Sequence, residues 1–180
     1  MAKPARIVFV AVLLLVLFAL PAMASEEEDR YFPLSKATKD TFSAYFLDVK
    51  TLHHAAADAT LDFAKNPELI YKDKGYVQAW VKVEYVKNGA QEVTESLKAQ
   101  GRNVAGYENL AFSLQQLRVR PATNEVALLA QSDYDKNGRP LGRVVYPKDR
   151  WVPFAVEKRI QEICENMVMA QKAAFAREGK

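Results

Sequence analysis

The chain has 180 residues, with 25 Lys+Arg against 22 Asp+Glu, two His and a single Cys. A formal charge of +3 at pH 7 is too small to make a nucleic-acid footprint. One cysteine excludes an internal disulfide, and the length suits one domain with a sizeable core.

Lys3 and Arg6 open the chain, Ile7 to Leu20 is an unbroken apolar run of 14 residues, and Pro21 ends it before Ala22-Met23-Ala24. This pattern predicts an export signal, residues 1–24, cut after Ala24. The run covers only ~21 Å of helix, short of the ~30 Å hydrocarbon core. The alternative is an uncleaved N-terminal anchor. Cleavage leaves 156 residues with 23 bases against 22 acids. No second apolar run approaches spanning length, and Cys164 is far from the cleavage site, so no lipid-anchor motif is seen. The expected address is the periplasm or the cell surface.

Residues 25–40 are charged and aperiodic at first and read as a flexible leader. Phe42, Tyr45, Phe46 and Leu47 suggest a first strand. His53 to Lys65 is Ala-rich and reads as a short helix stopped by Asn66-Pro67. Tyr76 to Val86 is the clearest strand: Val77, Ala79, Val81, Val83 and Tyr85 alternate with Gln78, Trp80, Lys82 and Glu84. One dry and one wet face is what an antiparallel sheet allows. Ala90 to Gln100 reads as a helix with Gly101 as its stop.

Leu110, Phe112 and Leu114 predict a dry face for the next strand, which runs to Arg120. Glu125 to Tyr134 follows, with Val126, Leu128, Ala130 and Tyr134 on one face. Asp135-Lys136-Asn137-Gly138 predicts a hairpin, because Asn-Gly tolerates the positive φ of a tight reversal. Arg139 to Tyr146 is the return strand. Pro153 suits a first helical position. Val156, Ile160, Ile163, Met167, Ala170 and Ala174 then form one apolar stripe. The expected architecture is α+β: an antiparallel sheet of five to six strands with this C-terminal helix across its dry face.

No constellation predicts a reaction. His53 and His54 are adjacent, so on a helix they diverge by about 100°, and there is no HExxH; they read as helix-surface histidines, with no metal expected. There is no GxSxG. Asp133 to Gly138 lacks the spacing of a calcium loop and reads as a turn. Cys164 falls in the apolar helix; it is either buried and free or paired between chains. The suggestive feature is a set of aromatic and basic residues, Trp80, Tyr134, Arg139, Arg143, Tyr146 and Trp151, which together make a candidate binding surface. The competing reading has a second helix covering Trp80.

Several motifs in order resemble the surface-adhesin protein E-like family of exported bacterial proteins: Tyr45-x-x-Asp48, Val77-x-x-Trp80-Val81-Lys82, Gly106-Tyr107-Glu108-Asn109-Leu110, Tyr134-Asp135-x-x-Gly138, Trp151-Val152-Pro153 and Ile163-Cys164. The resemblance spans about Tyr45 to Glu165. It implies one domain over residues 41–180, with about six antiparallel strands and the helix on one face, surface exposure, and attachment to host matrix proteins. It also implies a disulfide from Cys164 to the sheet near Arg118 to Asn124, where this chain has no cysteine. The expectation is a non-enzymatic, adhesin-like module with no cofactor, binding host or envelope proteins and no nucleic acid. The alternative is a periplasmic small-ligand carrier with a pocket between helix and sheet.

Overall fold

The computed structural model describes residues 30–35, 43–86, 88–148 and 150–179. Alternation along Tyr76–Tyr85 organises everything else. In this strand (β4), Val77, Ala79, Val81 and Val83 are buried, and the residues between them are half-buried. One neighbour of β4 is β5 (Leu110–Arg120), followed by β6 (Glu125–Asp135) and β7 (Pro140–Val145). On its other side lie β2 (Ser43–Asp48) and then β1 (Tyr31–Ser35). Two short strands, β3 (His53–Ala55) and β8 (Val152–Pro153), pair with β4 and β6. Among the described residues, all eight strands are antiparallel in one sheet. This confirms the expected α+β class, with three short strands, β1, β3 and β8, added to the expected five or six.

The C-terminal helix α2 (Lys158–Glu178) packs on β1, β4 and β5. Its buried residues Ile163, Cys164, Met167 and Val168 join Leu47, Val77, Val81 and Val119 in one core. Ile163 and Met167 of the expected stripe are thus packing residues, and Phe175, next to Ala174, is buried at its C-terminal end. Helix α1 (Gly89–Ala99) makes a second small cluster, in which Leu97 meets Tyr107, Leu110 and Tyr85. Phe42 and residues 1–29 lie outside the described residues, so the export signal and the Phe42 end of the first strand do too.

Several expectations are corrected. Tyr31–Ser35 is a strand rather than part of a flexible leader, paired with β2 and buried at Leu34. His53–Lys65 is not a helix. Asp58 and Asp62 accept hydrogen bonds from the backbone of Thr60 and Lys65, and such local bonds compete with helix formation. Asn66-Pro67 starts a 3-10 turn instead of ending a helix. Pro153 pairs within β8, and α2 begins five residues later.

A further correction concerns which face is dry. Ser113 pairs with Val83 and Phe112 with Glu84. Partners across a ladder share a face, so Ser113, Gln115, Leu117 and Val119 lie under the helices, while Phe112 and Leu114 lie on the opposite face. A register shift between Gln116 and Leu117 divides β6 as well: Val126 and Leu128 face the helix, Ala130 and Tyr134 do not.

Candidate functional site

The face of the sheet opposite α2 carries rings interleaved with cations. Lys82 Nζ sits 5.3 Å from the Tyr31 ring centroid and 5.2 Å from that of Phe112. Phe112 stacks on Tyr134 at 5.0 Å. Arg118 lies 4.4 Å over Tyr76 and donates to Gln78 at 2.7 Å. Arg120 lies 3.8 Å over Trp151. Trp80 sits between Gln78 and Lys82 on the same face and is half-buried. Strand alternation places these groups side by side, because every second residue of β4, β5 and β6 points the same way. The α1 cluster consists of Tyr85, Leu97, Tyr107, Leu110 and their neighbours, without Trp80. Among the described residues, neither helix covers this face.

The sequence-predicted residues divide accordingly. Trp80, Tyr134 and Trp151 lie on this open face: Trp80 beside Lys82, Tyr134 stacked on Phe112 and Trp151 under Arg120. Arg143 pairs with Ser132 on the edge strand β7 and is exposed. Arg139 is exposed at the hairpin tip, where its N–H donates to Asp135 Oδ1 at 2.8 Å. Tyr146 lies just past β7 and is exposed. The sheet thus brings the first three together and leaves the other three along one edge. The cation–ring partners Tyr31, Tyr76 and Phe112 escaped sequence reading. Phe112 counted as core from its alternation alone, and Tyr31 lay in the supposed leader.

The covered face holds a buried polar network that composition gave no sign of. Asp133 is 2% exposed. Its Oδ1 accepts from Ser113 Oγ at 2.5 Å and from Gln131 Nε2 at 2.8 Å, and its Oδ2 accepts from Tyr107 at 2.7 Å. Tyr85 lies 2.8 Å from Ser113 Oγ. The single Ser113 proton goes to the carboxylate, so Tyr85 is the donor. Burial pushes the phenols of Tyr85 and Tyr107 up to about 12. Tyr107, from the Gly106 to Leu110 motif, is buried. Asp135 closes its own hairpin, accepting from the N–H groups of Asn137 and Arg139. Gly138 supplies the positive φ of 74°.

His54 is the other correction. Its side chain is 3% exposed, edge-on to Phe63 and Phe175, with Nε2 3.2 Å from Asp73 Oδ2. Asp73 also accepts from the backbone of Ala57, Asp58 and Gly75. The pair ties the 56–75 loop to β3 and α2. Among the described residues, no group of three potential ligands gathers for a metal. Cys164 is free and wholly buried, and burial pushes its thiol up to about 12.

Between the N-terminal half of α2 and the sheet is a cleft of about 270 Å³. Leu117, Leu128 and Ile160 give it apolar walls; Tyr45, Gln115 and Arg159 give it polar ones. A second groove, of about 580 Å³, runs between α2 and the β1 edge and opens to solvent beside Phe32 and Met169. Among the described residues, no helix is long and apolar enough to cross a membrane. In comparisons with known proteins, no family model, curated protein or solved structure matches the chain.

Proposed function

We propose that the chain is an exported envelope protein acting as a non-enzymatic binding module, with the open sheet face as its contact surface. The observation that carries this reading is the run of cation–ring pairs across β1, β4 and β5, on a face that neither helix covers. Aromatic and Arg side chains dominate binding energy at interfaces because they bury large area from few rotamers. Here Lys82, Arg118 and Arg120 already rest on rings, so less side-chain entropy is lost when a partner arrives. The partner that fits is a carboxylate-rich protein surface, of host or envelope origin. The adhesin E-like resemblance points the same way, and a sheet with one helix-covered face fits it. Export rests on the N-terminal sequence pattern.

The non-enzymatic reading is supported by the buried polar groups. Asp133, Ser113, Tyr85 and Tyr107 are committed to one another, and Asp73 holds backbone N–H groups, so neither carboxylate is poised for a substrate. A second reading, a carrier of a small ligand, is favoured by one observation: the cleft with Arg159 on its wall.

The test is a binding assay on immobilised matrix proteins and polyglutamate. It compares the unaltered protein with the double variant Trp80→Ala/Arg118→Glu. Loss of binding with unchanged circular dichroism supports the open face as the contact surface; equal binding refutes it. Protease digestion of intact against lysed cells tests surface location separately.

A further inference from the structure

We propose that the cleft beneath the N-terminal half of α2 is a binding site for a small amphipathic monocarboxylate. The inference gives the carrier reading a ligand class and does not depend on the open face.

Size sets the first limit. A cleft of about 270 Å³ has room for roughly nine water-sized units of about 30 Å³ each. The occupant is therefore a molecule of about nine or ten non-hydrogen atoms. The walls set the second limit. Leu117 and Leu128 from the sheet and Ile160 from the helix accept an apolar body and offer it no hydrogen bond.

Charge sets the third. The Arg159 guanidinium is held 4.7 Å over the Tyr45 ring, and its NH2 group donates to the Ser43 carbonyl. Its Nε is buried and has no partner among the described residues. A buried donor without a partner is uncommon, and a carboxylate oxygen is the acceptor that completes a guanidinium most strongly. Arg159 is also in the first turn of α2, which carries no side-chain cap at Glu157, so the helix dipole adds to the attraction for an anion. Glu157, also on the cleft wall, is solvent-exposed, and water screens its repulsion.

Gln115 completes the polar end. One N–H of its amide donates to Gln131 Oε1 at 3.2 Å, and Gln131 in turn donates to Asp133. The buried carboxylate therefore fixes the orientation of an amide on the cleft wall. A site of this make-up discriminates by head group. An ammonium meets the Arg159 charge, and an alcohol offers it only a neutral acceptor.

Calorimetric titration of the purified protein with octanoate, octylammonium and 1-octanol tests the proposal. Octanoate should bind saturably and raise the melting temperature, and the other two should bind at least tenfold more weakly. Arg159→Gln should weaken octanoate at least tenfold. Ile160→Trp, which fills the cleft from a half-buried position, should do the same. If Arg159→Gln does not fold, Ile160→Trp and the head-group series decide. Equal binding of octanoate and octylammonium would overturn the carboxylate class while leaving a carrier. No binding by any of the three would overturn both, as would octanoate binding that a folded Ile160→Trp does not weaken.

Discussion

Tyr107 and Asp133 meet across the covered face of the sheet, the phenol donating to Oδ2 at 2.7 Å although 26 residues separate the two in sequence. The bond joins the 3-10 turn beside α1 to the C-terminal end of β6. It also explains Gly142, the residue opposite Asp133 on β7, where a Cβ would come 2.3 Å from the Tyr107 hydroxyl.

Removing that hydroxyl should be costly because the carboxylate stays buried. Tyr107→Phe should lose about 1–3 kcal/mol in urea unfolding. Asp133→Ala should lose more than about 3 kcal/mol, since Ser113, Gln131 and Tyr107 all lose their acceptor. Gly142→Ala should destabilise the unaltered protein and have a much smaller effect in the Tyr107→Phe background, because both changes strike one bond. Additive losses would show that the glycine is needed for another reason.

The two buried phenols predict an alkaline limit. Their folded-state ionisation lies near 12, pushed up first by burial, against an ordinary value of 10. The unfolded chain loses these protons first as pH rises, so their contribution is intact below pH 10 and is lost progressively towards pH 12. Absorbance at the phenolate band should show two late-ionising tyrosines, and the Tyr85→Phe/Tyr107→Phe variant should lack that phase.

His54 sets the acid side. Burial holds its imidazole below the ordinary 6.5, outweighing the nearby Asp73 carboxylate, which pulls the other way. A lowered folded-state value means that the unfolded chain takes up the proton first as pH falls. Stability should be at its full value above pH 6.5 and decline below it. His54→Phe, which keeps a ring against Phe63 and Phe175, should flatten urea midpoints measured from pH 7 to pH 5. An unchanged slope would assign the decline to other groups.

The Cys164 thiol should be inert. It is 0% exposed and needs a pH of about 12 to ionise, and the thiolate is the reactive form. A thiol reagent at pH 8 should leave the native protein unlabelled and label it once in urea. Non-reducing electrophoresis should show no disulfide-linked dimer.

The strongly periodic elements were legible. Tyr76 to Val86, the helical stripe from Ile160 to Ala174 and the Asp135 to Gly138 hairpin each state their structure locally, through period two, period 3.6 and a positive-φ glycine. The face of β5 was not legible, because Phe112 and Ser113 take their sides from pairing with β4, a contact some 29 residues distant in sequence. The Ala-rich 53–65 segment misled for the same reason: His53–Ala55 is held as strand by β4, and Asp73 claims the loop that follows. On the open face, Trp80 and Tyr134 could be read from the chain. Their cation partners could not, since the Lys82 neighbours Tyr31 and Phe112 come from β1 and β5.

Trp80→Ala tests the central claim most directly, since that claim is an open sheet face opposite a packed one. A half-buried side chain on an uncovered face should cost less than about 2 kcal/mol on truncation, against about 3–5 kcal/mol for a core tryptophan. In a chain of this size the first value lowers the melting temperature by no more than about 8 °C. The account predicts that small shift, together with lost binding to the acidic surface. A fall of about 12 °C or more would contradict it by making Trp80 part of the core.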